Sequence, residues 1–576
     1  MKKIFFWLCF LCIVGVLSYF LLRPAPPEPG QADYADFLSE EETVAAVSLY
    51  DLEGVSEAFP ETPLGRFLSK PVMHEMMKEL GATEEDFGGY DAFYESVADI
   101  MTSPVFRQVF GDDVSIALCS PDLEGVQANP EQELKNSLLA FGTSASAGPI
   151  SRFARMVMRK DVTNTKIAGL DMTRIRVDEH EMLYGYDVQG VIVLAYDPRR
   201  IVRAVQQKTA GNALRHSPSF TATEAFWKEE GQGRVYARLH FNAILLQDLL
   251  RAFDQQKTED VAEGLAGVKS IGGLIVETQG EVHARIQGER DPELLPEEVR
   301  AREALLGREG GAASPLLQKK TLLHYRLAQF DKAFFRKFLS SAETEQQYSE
   351  LEKTVQEEVG FSLDKFLEAV GPQAGISVHE IVNAGIFPLP KTVLALQVRN
   401  KKAVGWALRK LRDALKKQGI ANEHQEKIHG HRIYYWTLMP IEATHLAIAL
   451  TDTMLYITNG ESQLRTLLAG GQVAESLAEN MVKELGKTAG TCVANANSSA
   501  FLLRPARLAP EIAPFADWLT DMMLAKGSDS GKKTQEEVLA LMRSFDLVAA
   551  CSNLTETQLR GEIILKALPV ANEEKK

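Results

Sequence analysis

Hydrophobic and polar positions fall into the same series twice along this chain. Thr43-Val44-Ala45-Ala46-Val47-Ser48-Leu49-Tyr50-Asp51-Leu52 reads as a strand running into a helix, and residues 321–338 repeat that change of period. Phe110-Gly111 leads into an apolar strand, as does Val370-Gly371. Residues 137–141 match 392–396. Lys166-Ile167-Ala168-Gly169 returns as Lys427-Ile428-His429-Gly430, and the strand 190–197 returns as 453–460. A helical run follows each, residues 198–205 and 461–468. Residues 234–246 then pair with 491–503, and the closing strands 280–286 with 556–563.

Within each series short strands alternate in pairs across tight turns such as Gln189-Gly190 and Asp452-Thr453, with helices between them. The expected class is α+β, with two similar lobes of largely antiparallel sheet and packed helices. Asp197-Pro198 has the form of a helix start, Asp at the cap and Pro in the first turn. In residues 401–419, Val404, Leu408, Leu411 and Leu415 share one face, Gly419 ends the helix, and the basic residues opposite form a solvated face.

The N-terminus breaks the pattern. After Lys2-Lys3, residues 4–22 carry no charge. As a helix rising ~1.5 Å per residue they span roughly 30 Å, the thickness of a bilayer core. No small-x-small cleavage site follows, which favours an uncleaved signal anchor over a removed signal peptide. Lys2 and Lys3 outweigh Arg23, so the N-terminus is expected in the cytoplasm and the body on the exported side. The domain plan is an anchor over 1–22, a Pro-rich spacer over 23–42, a first repeat over 43–290, a linker over 291–320, a second repeat over 321–567 and a polar tail over 568–576.

A net charge of −15 excludes nucleic acid as a natural partner. Outside the anchor the cysteines are Cys119, Cys492 and Cys551, each in an apolar run that reads as a strand. Buried free thiols are the expectation, with a Cys492–Cys551 pairing as the alternative.

Candidate chemistry thins out when each residue is asked whether its repeat partner keeps it. His424, His429 and His431 suggest part of a zinc site, yet His429 and His431 match Ala168 and Leu170, and only the glycine between them is kept. Gly527 to Thr534 is one residue short of a phosphate loop, and Ser530 to Lys533 lies in a polar run unsuited to a Ser/Lys nucleophile. His74-Glu75 and His379-Glu380 lack the second histidine of a metallopeptidase helix. Asp112 and Asp113 match Pro372 and Gln373. Tyr434, Tyr435 and Trp436 read as core packing or a cross-strand ladder. No catalytic, cofactor-binding or metal-binding residue is assigned.

The anchor, the spacer, the opening strand 44–52, the glycine-led strands at Gly111 and Gly371, the helix after Val398-Arg399-Asn400-Lys401-Lys402 and the hairpin ending at Asn459 together resemble the large bacterial envelope proteins grouped as domains of unknown function. That resemblance covers roughly residues 43–566 and implies a bacterial source and an exported, membrane-tethered body. It carries no catalytic residue. The expected role is a non-enzymatic binding or scaffold protein at the inner membrane. Its partner would be an envelope protein, cell-wall material or a lipid, bound through the lobes or a groove between them. The alternatives are an envelope hydrolase with its site in one repeat and a carrier of lipid or another hydrophobic ligand.

Overall fold

The computed structural model describes residues 34–102, 113–143, 162–177, 181–188, 190–253, 265–304, 306, 321–339, 345–383, 388–419, 422–437, 439–469, 481–524 and 531–568. The anchor, Gly111, Asp112, Gln189, residues 525–530 and nearly all of the tail lie outside them. No helix among the described residues is long and apolar enough to cross a membrane. The chain is α+β with antiparallel strand pairing. It divides into two compact units between Pro296 and Glu297, with Thr555–Arg560 belonging to the first.

The first unit is built from β1 (Thr43–Leu49), β2 (Val114–Cys119), β3 (Leu138–Thr143), β4 (Val162–Ile167), β5 (Leu170–Arg176), β6 (Met182–Val188), β7 (Val191–Ala195), β8 (Arg234–Asn242), β9 (Val268–Thr278) and β10 (Glu281–Arg290). Their order in the sheet is β10-β9-β8-β1-β2-β3-β7-β6-β5-β4. Alternate residues point to opposite faces, so β1 turns Ala46 and Ser48 inward and Ala45 and Val47 to the half-exposed side. Helices Pro198–Ala210 and Pro218–Glu230 cover the inward face. Ile201, Phe220, Phe226 and Trp227 from these helices pack on Phe141, Val193, Leu274 and Val276.

The second unit contains β11 (Leu323–Leu327), β12 (Val370–Asn383), β13 (Pro388–Val398), β14 (Asn422–Ile428), β15 (His431–Thr437), β16 (Leu446–Leu450), β17 (Met454–Asn459), β18 (Ser499–Leu503), β19 (Phe545–Leu554) and β20 (Gln558–Ala567). Their order is β20-β19-β18-β11-β12-β13-β17-β16-β15-β14, the first order over again. Helix Lys401–Gln418 presents Val404, Leu408, Leu411 and Leu415 to a core with Leu396, Trp436 and Ile448, as its spacing predicts. Asn400 caps its start and Gly419 its end.

The paired Lys-Ile-x-Gly segments become matching hairpins. Ile167 faces Leu170 and Ile428 faces His431, leaving two-residue turns. Ala168 and Gly169 have φ of 51° and 88°, His429 and Gly430 of 47° and 88°. Two successive left-handed residues suit the twist of the flanking strands.

Three expectations are corrected. The spacer ends before residue 34, because Tyr34, Ala35, Phe37 and Leu38 are buried in the first core, where apolar side chains replace the prolines. Cys492 lies on a helix, Lys487–Asn495, since a short apolar run fits either period. Two segment pairings slip in register. Phe141 corresponds to Ala395 rather than Leu396, and Ala237 to Ser499 rather than Ala494.

Candidate functional site

Register places Leu274, Arg238, Ser48, Ser115, Phe141 and Val193 side by side in one row on the inward face of the first sheet. The outer members are core residues, and the three central ones are polar. A polar notch in a buried apolar row breaks local consistency, the signature of a site. Over this notch lies a cavity of about 330 Å³. Tyr34, Ala35, Tyr50, Asp113, Ser115, Arg215, Phe220, Glu224, Trp227, Lys228 and Arg238 line it.

Its aromatic wall is rigid. Phe220 meets Trp227 edge-on at 5.6 Å and Tyr34 edge-on at 6.2 Å. Trp227 Nε1 donates to Gly273 O at 2.7 Å, which fixes the indole. The Arg238 guanidinium lies 5.5 Å from the Tyr50 ring and 5.7 Å from the Trp227 ring, so both attract its charge. Arg215 pairs with Asp36 at 2.8 Å. The Ser48 and Ser115 hydroxyls bond each other at 2.8 Å.

Both phenols stay protonated. Burial pushes Tyr34 up, reinforced by Tyr50 beside it. Burial also raises Tyr50, opposed by Arg238. Tyr34 Oη and Arg238 Nε are buried with no hydrogen-bond partner among the described residues. Both atoms are donors.

The same row in the second sheet runs Cys551, Ala500, Arg326, Gly375, Ala395 and Tyr456. Arg326 takes the place of Ser48, Gly375 that of Ser115 and Ala500 that of Arg238. Arg326 Nη2 donates to Ala496 O, with Val493 O at 3.5 Å, so this cation caps the helix that carries Cys492. The notch belongs to the first unit.

The sequence candidates do not converge. His429 sits in the exposed hairpin turn with His431 just after it, and His424 stacks on Tyr435 at 4.9 Å. Tyr434 faces Arg412 at 4.1 Å, and Trp436 is in the core. His74 Nε2 pairs with Asp91 at 2.8 Å on a helix. The Gly527–Thr534 run is described only from Gly531, and Lys532 opens a helix. Asp113 lines the cavity, a placement its turn-like context did not suggest.

Cys119 is a buried free thiol, pushed up to about 11 by burial. Cys492 and Cys551 are joined by a disulfide, which corrects the free-thiol expectation for both. A Ser–His pair does exist in the second unit, Ser377 Oγ to His324 Nδ1 at 2.8 Å. These residues are 0% and 1% exposed, where no substrate reaches them.

Sequence reasoning passed over Tyr34, Tyr50, Trp227 and Arg238. The available signal was Arg238 and His240, two residues apart in β8, which put polar side chains on the inward face.

No family model matches the chain, and no curated protein matches it. Solved structures of TP0453 are similar to part of it. Crystal form III has 11% identity and a TM-score of 0.25 over 49% of this chain and 89% of that one. Crystal form I has 10% identity and a TM-score of 0.24 over 49% and 90%. Likeness at this level carries no argument about the site.

Proposed function

We propose that this chain is a membrane-tethered binding protein of the bacterial envelope, non-enzymatic, with its body on the exported side. Its body is two similar lobes descended from one duplicated scaffold, of which the first binds and the second supports. The observation that carries the binding role is the polar notch at Arg238, Ser48 and Ser115, walled by aromatic side chains in one unit. In the counterpart row of the other unit, Arg326 ends on the Ala496 carbonyl.

The Cys492–Cys551 disulfide supports an oxidising compartment, and the uncharged run 4–22 supports tethering at the inner membrane. The resemblance to envelope proteins rests on the same anchor and strand pattern. A hydrolase would need Ser377 and His324 open to substrate, and both are buried.

A C-terminal reporter that is active only outside the cytoplasm tests the location. Activity is expected in cells, together with Cys492 and Cys551 that react with maleimide only after denaturation and reduction. A silent reporter with both thiols free in cells overturns the location.

A carrier of hydrophobic ligands is the second reading. Ile116 and Ile376 hold equivalent strand positions on the two sheets and are 40% and 38% exposed, and Tyr325 beside Ile376 is 37% exposed. Saturable uptake of a fluorescent fatty acid, lost on Ile116→Ser and Ile376→Ser, favours it over the first.

A further inference from the structure

Resting on the first unit as the binding unit, we propose that its cavity takes a small organic carboxylate with a ring-sized apolar body, held by Tyr34 Oη and Arg238 Nε.

The unmet polar atoms at the cavity set the chemistry. Tyr34 is 7% exposed, and its hydroxyl lies beside Ser48, whose own hydroxyl is engaged by Ser115. Arg238 Nε is likewise buried without a partner among the described residues. A buried donor left unmet costs free energy, so an occupant is selected for acceptors. A carboxylate supplies two coplanar acceptors that match a guanidinium edge; Asp113 and Glu224 balance Lys228 and Arg238 in the lining, so the preference for an anion is local to the Arg238 edge.

The aromatic faces of Tyr50 and Trp227 already hold a cation. The attraction that would hold one on Tyr50 and Trp227 is already satisfied by Arg238, which would also repel it. The walls then set the body of the ligand. Phe220, Tyr34 and Trp227 offer apolar edges and faces, and a volume of about 330 Å³ falls at the small end of ligand cavities. A monocarboxylate built on one ring fits that description, and a lipid chain does not.

The test uses the full chain in detergent, titrated with sodium benzoate, benzyl alcohol and inorganic phosphate. Calorimetry and tryptophan fluorescence are the readouts. Benzoate is expected to bind saturably, while benzyl alcohol, which keeps the ring and loses the charge, and phosphate, which keeps the charge and loses the ring, do not. Tyr34→Phe and Arg238→Lys each weaken benzoate about tenfold, the effect of one hydrogen bond to a charged group.

Tyr34→Phe removes a hydroxyl that has no partner, so the ligand-free variant melts at or above the wild-type temperature. That second readout separates a binding role from a structural one. The proposal is overturned by equal binding of benzyl alcohol, by phosphate binding in place of benzoate, by no binding at all, or by unchanged benzoate affinity in both folded variants. Those outcomes leave the exported location standing, which the reporter and thiol measurements decide separately.

Discussion

Arg326 occupies in the second sheet the register position that Ser48 holds in the first. The strand order is the same, and the arginine lies on β8 in the first sheet and on β11 in the second. Arg238 faces a cavity, whereas Arg326 ends on the carbonyls of Ala496 and Val493. Burial holds the Arg326 guanidinium below its usual range, so its carbonyl partners are what keep it there. Arg326→Leu leaves those acceptors unmet inside the core. Urea unfolding is expected to show a loss of about 2–4 kcal/mol, against about 1 kcal/mol for Ser48→Ala. Equal losses at the two positions would contradict the difference in role.

The two hairpin turns give a test free of packing effects. A Cβ added at Gly169 or Gly430 meets nothing within 4 Å, so only the backbone objects. Gly169→Ala and Gly430→Ala should each cost roughly 1–2 kcal/mol through the left-handed conformation. Ala168→Gly, at φ 51°, should gain up to about 1 kcal/mol. Thermal melts of the three variants measure both signs.

These turns show what the sequence made legible. A tight turn after a hydrophobic strand requires a positive φ that glycine adopts freely, so Gly169 and Gly430 could be matched without knowing the fold. The cap at Asp197 and the stop at Gly419 were legible for the same reason, since each acts on residues next to it. Register was harder. One-residue slips change which face a residue occupies, and Phe141 was paired with the wrong partner for that reason. The cavity was least legible. Tyr34 and Arg238 are about two hundred residues apart in sequence, and their positions depend on β1 lying between β2 and β8. Nothing local signals that pairing. Cys492 and Cys551 were visible as a possible pair, but the short run 491–494 gave no measure of whether helix or strand would present the thiol.

The disulfide ties the Lys487–Asn495 helix to β19 across a sequence separation of 59, with Cα atoms 5.6 Å apart. Closing a loop of that size restricts the unfolded chain. The chain-entropy relation gives about 4 kcal/mol. Cys492→Ala with Cys551→Ala should lower stability by an amount of that order. Added reductant should do the same to the wild type and leave the double variant unchanged. Denaturant melts with and without reductant compare the four conditions. A wild type insensitive to reductant would remove the disulfide from the account.

Three buried histidines set the response to acid. Burial pushes His324 down to about 3, with Arg326 and His379 adding to the effect, and pushes His240 and His379 down to about 4. Their imidazoles are neutral when folded, His324 bonded to Ser377, His379 to Thr321 and His240 to Thr223. Unfolded, each titrates near 6.5. The unfolded chain therefore binds more protons below that value. Stability is full above pH ~6.5 and falls as pH drops toward 4, by on the order of 2–4 kcal/mol per histidine. Most exposed carboxylates titrate below about 4.5, so a decline between pH 6.5 and 4.5 is the histidine signature. His324→Asn, which offers neutral donors and acceptors near Ser377, should flatten the slope in that window while lowering stability at pH 8. Urea midpoints measured from pH 8 to 4 read both effects, and an unchanged slope in the variant would place the acid sensitivity elsewhere.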